Sequence, residues 1–208
     1  IKLMKLKVCG LSNTEEVETC VENEVNYCGF ILNYSKSHRY ISYERAEKLM
    51  KINKKSSKYV GVLVKPSHEE LEKFSKLNLD YFQLYGIYND ELLKKIKQKF
   101  KINIISAIQV KNKEDVIKYE NIQNESDVIL WDSSGYEDSL TWDYNWIKHI
   151  SIKTEKMIAG NVTEDKLYYL SKFVDAVDVS GALETNKVKD IIKIKKFINQ
   201  IKKINNEN

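Results

Sequence analysis

The chain has 208 residues, of which 42% are hydrophobic and 31% charged, as expected for a globular protein with a hydrophobic core rather than a disordered one. Its net charge of +4 comes almost entirely from lysine, without the interleaved arginine and aromatic residues of a nucleic-acid-binding face, so we expect no nucleic-acid partner. No apolar run approaches the roughly 20 residues that span a bilayer, and three cysteines without a CxxC pair argue against disulfides, so we expect a cytoplasmic protein without membrane contact.

Eight short runs rich in β-branched and aromatic residues recur along the chain, about two to three dozen residues apart, which is the spacing of βα units. In chain order they cover residues 6–9, 27–33, 59–64, 81–85, 103–109, 128–132, 156–159 and 176–180. The segments between them carry helix-start signals. Ser67 and Glu70 form a predicted capping box, and Asn112 and Thr163 each precede acidic residues that favour a helix N-terminus.

Strands that alternate with helices predict a parallel sheet, and eight such units close into a barrel. We therefore expect an α/β protein, a single eight-stranded parallel (β/α)8 TIM barrel domain over residues 1–208. A doubly wound open sheet is the alternative fold. Residues 9–13 hold only one glycine, so the first βα turn lacks a dinucleotide fingerprint.

Cys9 and Asp132 end the first and sixth runs, at the rim where such barrels keep their chemistry. Strand alternation turns Cys9 inward together with Lys7, and an ammonium below a thiol favours the thiolate, a competent base. Because the first and sixth strands lie across the barrel mouth from each other, this base and the Asp132 acid would flank one ligand. The alternatives are a packing role for Cys9 and a helix-capping role for Asp132.

Glycine-containing turns follow the seventh and eighth runs. In barrels of this kind, turns at these two positions frequently bind phosphate through backbone N–H groups. We therefore expect Gly160, Asn161, Ser180 and Gly181 to bind a phosphate group.

Metal binding is not expected. His38, His68 and His149 are scattered along the chain without the spacing of metal ligands.

Several segments resemble the phosphoribosylanthranilate isomerase family of tryptophan biosynthesis, in the family's order and over nearly the whole length. The two most specific segments are KVCGLSN at 7–13 and GFILNYSKSHRYIS at 29–42. The others are VGVLV at 60–64, FQLYG at 82–86, ILWD at 129–132, TWDY at 141–144, IAGN at 158–161 and VDVSG at 177–181.

The resemblance implies isomerisation of N-(5-phosphoribosyl)anthranilate, a small phosphosugar, to its ribulose form by an Amadori rearrangement without cofactor or metal. It gives Cys9 the role of general base at C2 of the sugar and Asp132 that of general acid at the ring oxygen. Arg39 matches the arginine that holds the anthranilate carboxylate, a task suited to a bidentate guanidinium. Gln83 and Asp178 look like further substrate contacts, and we group Lys7 with them.

The chain departs from the family pattern at four places. After the eighth strand, the family's Ser-Ser-Gly reads Ser-Gly-Ala at residues 180–182. Residues 136–139, Tyr-Glu-Asp-Ser, replace a glycine-rich run that closes on the phosphate. Asn161 replaces the second of two glycines, a position where asparagine tolerates a left-handed backbone. Tyr85 stands where the family has histidine.

These departures leave an alternative function open, a catalytically weakened barrel that acts as a phosphosugar-binding or partner subunit. Two other phosphosugar barrels fit less well, since an epimerase needs metal-binding histidines and an indole-glycerol-phosphate synthase needs inward lysines on several strands. The substrate range could extend to the histidine-pathway aminoaldose. We expect a monomer or a homodimer.

Overall fold

The computed structural model describes residues 2–136 and 140–207. Within these residues, eight parallel strands form a closed barrel in chain order, so the predicted (β/α)8 architecture is confirmed. The strands are β1 Lys5–Cys9, β2 Tyr27–Ile31, β3 Lys58–Val64, β4 Tyr81–Tyr85, β5 Asn103–Val110, β6 Val128–Ser133, β7 Glu155–Ile158 and β8 Ala176–Val179. Every predicted run is confirmed as a strand, with its ends within two residues of the expected positions.

The segments that follow the first four strands are α-helices, and those that follow the last four are mostly short 3₁₀ helices. The α-helices are α1 Thr14–Glu22, α2 Tyr43–Leu49, α3 His68–Phe74 and α4 Asp90–Phe100. The 3₁₀ helices are Lys113–Asn121, Tyr144–Ile147, Glu164–Lys166, which leads into α5 Leu167–Leu170, and Gly181–Leu183. The chain then forms an antiparallel pair, β9 Glu184–Thr185 with β10 Val188–Lys189, and ends in α6 Ile191–Glu207. The sequence did not predict the β9–β10 pair.

Helix capping follows the sequence at two of the three predicted sites. Ser67 and Glu70 form the expected reciprocal capping box of α3, and Asn112 forms one with Asp115, although the helix that it caps is 3₁₀. For Thr163 the predicted helix start is confirmed, but the predicted capping bond is not. Thr163 occupies the N-cap position without a capping hydrogen bond, because its hydroxyl turns instead to the Asp165 carboxylate, 2.5 Å away.

The core has two layers, one inside the barrel and one between the barrel and its helices. The expected alternation is confirmed. On β1, Leu6 and Val8 pack outward while Cys9 belongs to the inner layer; on β6, Trp131 packs outward and Leu130 inward. The helix α6 buries five residues at helical spacing: Ile194, Phe197, Ile198, Ile201 and Ile204. No helix in the described part of the chain is both long and apolar enough to cross a bilayer.

Candidate active site

A cavity of about 850 Å³, including its open mouth, lies at the carboxyl ends of the barrel strands. It brings together all but one of the residues that the sequence singled out for chemistry or binding. Those lining it are Cys9, Arg39, Gln83, Tyr85, Asp132, Gly160, Asn161, Asp178, Ser180 and Gly181. Lys7 is the exception, since it is completely buried below the cavity floor. The base and acid candidates thus share one cavity, as the expected geometry requires.

The thiol of Cys9 lies at the end of β1 and is 8% exposed. Its neighbour in register on β2 is Gly29, where an added Cβ would come within 2.9 Å of the sulfur and 3.2 Å of Lys7 Nζ. The absence of a side chain at position 29 therefore creates the space that the thiol and the ammonium occupy.

The protonation of Cys9 differs from the sequence-based expectation. Burial raises the pKa of the thiol above its ordinary value, and this outweighs the charge and hydrogen bond of Lys7, which lower it. Asp178 adds to the rise, because its negative charge disfavours a second negative charge on the nearby sulfur. The same carboxylate accepts from Lys7 Nζ at 3.0 Å. The expected effect of Lys7, a lower pKa of the thiol, has the predicted direction, but burial outweighs it in the resting site.

The carboxyl of Asp132 is held by a donor on each oxygen. Oδ1 accepts from the backbone N–H of Ser133 at 2.7 Å, and Oδ2 accepts from the Tyr85 hydroxyl at 2.6 Å. Burial raises the pKa of Asp132 to about 6, against the opposing effect of the Tyr85 hydrogen bond. A carboxyl group with such a pKa is partly protonated near neutral pH and can donate a proton.

Gln83 contributes a polar group that the protein leaves unsatisfied. Its Nε2 donates to the Tyr85 hydroxyl at 3.2 Å, and its buried Oε1 has no hydrogen-bond partner among the described residues. An unpaired buried acceptor costs about 1–3 kcal/mol. Such a group at the lining of a cavity is suited to a ligand that brings a donor.

Arg39 is only 7% exposed and lies in the loop between β2 and α2. Its Nε and Nη2 donate to the two carboxylate oxygens of Glu184, at 2.7 and 2.8 Å. Lys189 Nζ donates to the same carboxylate at 2.5 Å and to Ser180 Oγ at 3.2 Å. Although burial alone would raise it, the bonds from Arg39 and the charge of Lys189 lower the pKa of Glu184 to about 2.

Sequence reasoning missed Glu184 and Lys189. The available signal was a pair of charged residues of opposite sign that closely follows the glycine turn after the eighth strand.

Gly10 leaves the space through which the Arg39 side chain passes. Its φ of +84° is a conformation that favours glycine, and an added Cβ would lie 2.5 Å from Arg39 Cδ. Both the backbone conformation and the close contact therefore require glycine directly after Cys9.

The turn after β7 has the left-handed backbone that was expected, with φ of +102° at Gly160 and +52° at Asn161. Trp142 packs against it, since an added Cβ on Gly160 would lie 2.9 Å from Trp142 Nε1. The same indole nitrogen donates to the Ala159 carbonyl at 2.8 Å, and the Tyr144 hydroxyl donates to the Gly160 carbonyl. The loop after β6 thus supports the turn after β7 from behind.

After β8, the Ser180 hydroxyl donates to the Cys9 carbonyl at 2.9 Å and links the second expected phosphate turn to β1. The residues Glu137, Asp138 and Ser139, which replace the glycine-rich run, lie outside the described residues. Tyr136, the residue before them, packs its ring against Tyr34 at 5.0 Å and Tyr85 at 5.7 Å between centroids. Within the described ranges, no group of three or more histidine, cysteine or acidic side chains is arranged to hold a metal ion.

Comparisons with known proteins give a consistent result. A family model described as N-(5'phosphoribosyl)anthranilate (PRA) isomerase matches residues 6–200. A Streptococcus mutans protein named N-(5'-phosphoribosyl)anthranilate isomerase is 36% identical over 204 residues, which cover 97% of this chain and 100% of that protein.

Two solved structures are similar over 97% of this chain and 100% of their own. The Thermotoga maritima phosphoribosyl anthranilate isomerase has a TM-score of 0.85 at 30% identity. A phosphoribosyl anthranilate isomerase in complex with reduced 1-(o-carboxyphenylamino)-1-deoxyribulose 5-phosphate has a TM-score of 0.81 at 28% identity.

Proposed function

Because this chain belongs to the N-(5'-phosphoribosyl)anthranilate isomerase family, we propose that Cys9 is the general base and Asp132 the general acid of its reaction. The chain is an isomerase of tryptophan biosynthesis that converts N-(5-phosphoribosyl)anthranilate to 1-(2-carboxyphenylamino)-1-deoxyribulose 5-phosphate. The observation that carries the assignment is the shared cavity, in which a buried thiol and a half-buried carboxyl project from β1 and β6.

The first step of the proposed mechanism opens the sugar ring. Asp132 gives its proton to the ring oxygen as the C1–O bond breaks, and the nitrogen lone pair of the anthranilate forms a C=N bond to C1. The thiolate of Cys9 then removes the proton from C2. The electrons of that C–H bond form C1=C2, and the π electrons of the C=N bond return to nitrogen as its lone pair. The resulting enol tautomerises to the ketone of the product.

The form that reacts, with Asp132 protonated and Cys9 ionised, is the less abundant protonation form of the resting site. A pKa of about 6 lets Asp132 carry a proton in a useful fraction of molecules near neutral pH. Cys9 is mostly a thiol in the resting site because burial raises its pKa, and the adjacent Lys7 ammonium is the group that stabilises the thiolate when it forms.

The remaining residues are assigned to substrate binding. Arg39 is proposed to hold the anthranilate carboxylate, with Glu184 fixing the guanidinium plane through two of its N–H groups. Gln83 and Asp178 are proposed to bind the sugar hydroxyls, since Gln83 offers an unpaired acceptor. Lys7 is proposed to act on substrate only through Cys9 and Asp178, its two hydrogen-bond partners.

The phosphate is assigned to the two turns after β7 and β8, at Gly160, Asn161, Ser180 and Gly181. Their support is the left-handed backbone at Gly160 and Asn161 and the fact that all four line the cavity. Backbone N–H groups in such turns form concave anion sites.

We also propose that the chain is one domain and works in the cytoplasm as a monomer or homodimer. Its three cysteines are free and buried, which fits a reducing compartment. Sedimentation velocity on the purified protein would distinguish the two oligomeric states.

The decisive experiment follows the loss of substrate fluorescence on addition of purified protein. Cys9→Ala and Asp132→Asn should each lower kcat about a hundredfold or more, the usual contribution of a positioned base or acid. The matched controls are Cys20→Ala and Asp127→Asn. Cys20 is a buried cysteine outside the cavity. Asp127 lies just before the first residue of β6, at the end of the strand away from Asp132, and pairs with Lys97. Full activity of both active-site variants would show that the assigned roles are wrong.

A further inference from the structure

Tyr85 reaches across the inside of the barrel to the Asp132 carboxyl. It is the last residue of β4, and β5 separates that strand from β6. The inward residue of β5 in register with Tyr85 is Ala107. Because the alanine side chain is small, it leaves room for the tyrosine ring to pass to the 2.6 Å contact with Asp132 Oδ2.

While Asp132 is ionised, the hydrogen bonds of Tyr85 have a fixed direction. An ionised carboxylate only accepts, so the single hydroxyl proton of Tyr85 goes to Asp132. The phenol oxygen can then only accept from Gln83, which must present Nε2 and leave Oε1 unpaired. The unpaired acceptor on Gln83 is therefore a consequence of the donation from Tyr85 to Asp132.

The contact fixes the orientation of the carboxyl group. With the Ser133 N–H on one oxygen and the Tyr85 hydroxyl on the other, the plane of the Asp132 carboxyl cannot rotate without breaking a hydrogen bond. Each oxygen keeps further acceptor capacity for a proton. Orientation matters because a displacement of about 1 Å in a reacting group can cost on the order of a hundredfold in rate.

We propose that Tyr85 is a positioning residue of the isomerase reaction, which orients the Asp132 carboxyl towards the sugar ring oxygen and stabilises its ionised form after proton transfer. This inference rests on the proposed role of Asp132 as the acid. Tyr85 is not assigned a proton transfer of its own, since burial and the charge of Asp132 raise its pKa well above the ordinary value.

Several titratable groups on the surrounding elements interact electrostatically with Asp132. They are Tyr85 on β4, Lys7 on β1, Asp178 on β8, Tyr136 after β6, and Tyr144 in the following 3₁₀ helix. After burial, the hydrogen bond from Tyr85 has the largest effect on the pKa of Asp132, and it lowers it. Removal of the hydroxyl should therefore raise the pKa of Asp132.

The test is Tyr85→Phe, which removes the hydroxyl and keeps the ring. We expect kcat to fall about tenfold with little change in KM, and the acidic limb of the pH profile of kcat/KM to move up by about one pH unit. The matched control is Tyr27→Phe. Tyr27 makes the same kind of bond, 2.7 Å from its hydroxyl to Glu155 Oε1, at the opposite end of the barrel, so its loss should affect stability and leave the acidic limb in place.

An NMR measurement on the unsubstituted protein keeps the proposal testable if Tyr85→Phe does not fold. With tyrosine labelled at ¹³Cζ, the Tyr85 signal should titrate with the midpoint of Asp132, while the Tyr27 signal should not. A wild-type acidic limb and kcat in Tyr85→Phe, or a Tyr85 signal that ignores the Asp132 titration, would overturn the proposal. If Asp132→Asn is inactive in the same experiments, the proposed function stands and only the role of Tyr85 is lost.

Discussion

The ammonium of Lys7 lies 3.0 Å from the carboxylate of Asp178, so that a buried ion pair joins β1 to β8 directly beneath the Cys9 thiol. Burial disfavours the charge on Lys7, but its contacts with Asp178 and Cys9 outweigh this effect and raise its pKa above the ordinary value. The Lys7 ammonium therefore stays charged at physiological pH. The pair supplies a fixed positive group to the thiol and holds the first and last strands together.

Lys7→Met should raise the pKa of the Cys9 thiol. The charge of Lys7 and its hydrogen bond to the thiol both lower that pKa, and the variant removes both. Alkylation of Cys9 by iodoacetamide, followed by peptide mass spectrometry across a pH series, would measure the shift. Removing one partner of a buried pair should also cost about 3–5 kcal/mol of stability.

The control for that variant is Lys5→Met. Lys5 is on the same face of β1 but pairs with Glu155 at the other end of the barrel, and its side chain is 45% exposed. An unchanged Cys9 alkylation profile in Lys7→Met, or an equal change in Lys5→Met, would contradict the assigned effect.

The pH profile of kcat/KM should be bell-shaped with a broad plateau. The reactive form has Asp132 protonated and Cys9 ionised, and it holds the same number of protons as the more abundant form with Asp132 ionised and Cys9 protonated. Its share is therefore constant between the two pKa values. Below about pH 6 a further proton binds at Asp132, and above the raised pKa of Cys9 the last proton leaves, so the rate falls on both sides. A maximum confined to pH values below 5 would contradict this account.

Gly29→Ala should lower both stability and activity. The added methyl group would lie 2.9 Å from the Cys9 sulfur, and overpacking of this kind usually costs about 1–3 kcal/mol. Urea denaturation and the fluorescence assay would measure the two effects.

Gly61→Ala is a matched control, since its Cβ would approach Leu79 at 2.7 Å, away from the thiol. We expect a comparable loss of stability and no change in Cys9 alkylation. Normal Cys9 reactivity in Gly29→Ala would show that the glycine does not serve the thiol.

Glu184→Gln should reduce stability at neutral pH and flatten its dependence on acid. The folded pKa of Glu184, about 2, is below its ordinary 4.5, so the ionised group contributes stability above pH 4.5 that is lost as the pH falls towards 2. The free energies of unfolding of the variant and the unsubstituted protein, measured by urea denaturation, should differ by about 1–3 kcal/mol at pH 7. The two values should converge near pH 2. Glu72→Gln, which removes an exposed ion pair with Lys99, should show little difference at either pH.

Much of the fold and the site could be predicted from the sequence because the signals are local. Strand alternation turned Cys9 and Asp132 into the barrel, and chain order put both at the carboxyl ends of their strands. The capping box of α3 needed only four consecutive residues. Thr163 shows the limit of such reasoning. The sequence pattern predicts a hydrogen bond between its hydroxyl and the helix backbone, but the hydroxyl donates to the Asp165 carboxylate instead.

The contacts that tune the site could not be predicted in the same way. Tyr85 and Asp132 are 47 residues apart in the chain, and Arg39 and Glu184 are 145 apart. Nothing in either local sequence specifies which side chain fills the space across a closed barrel. The net rise in the pKa of Cys9 also depends on a balance between burial and charge that exists only after the chain is folded.

The sequence by itself determined the eight strands, the faces that they present and the residue types at their ends, because strand periodicity and turn chemistry are properties of neighbouring residues. Only the tertiary structure decided which of those residues touch, which protons they keep and which donor each acceptor receives. Closure of the barrel brings distant strands together in a poorly solvated interior, where hydrogen bonds and charges act more strongly than in water.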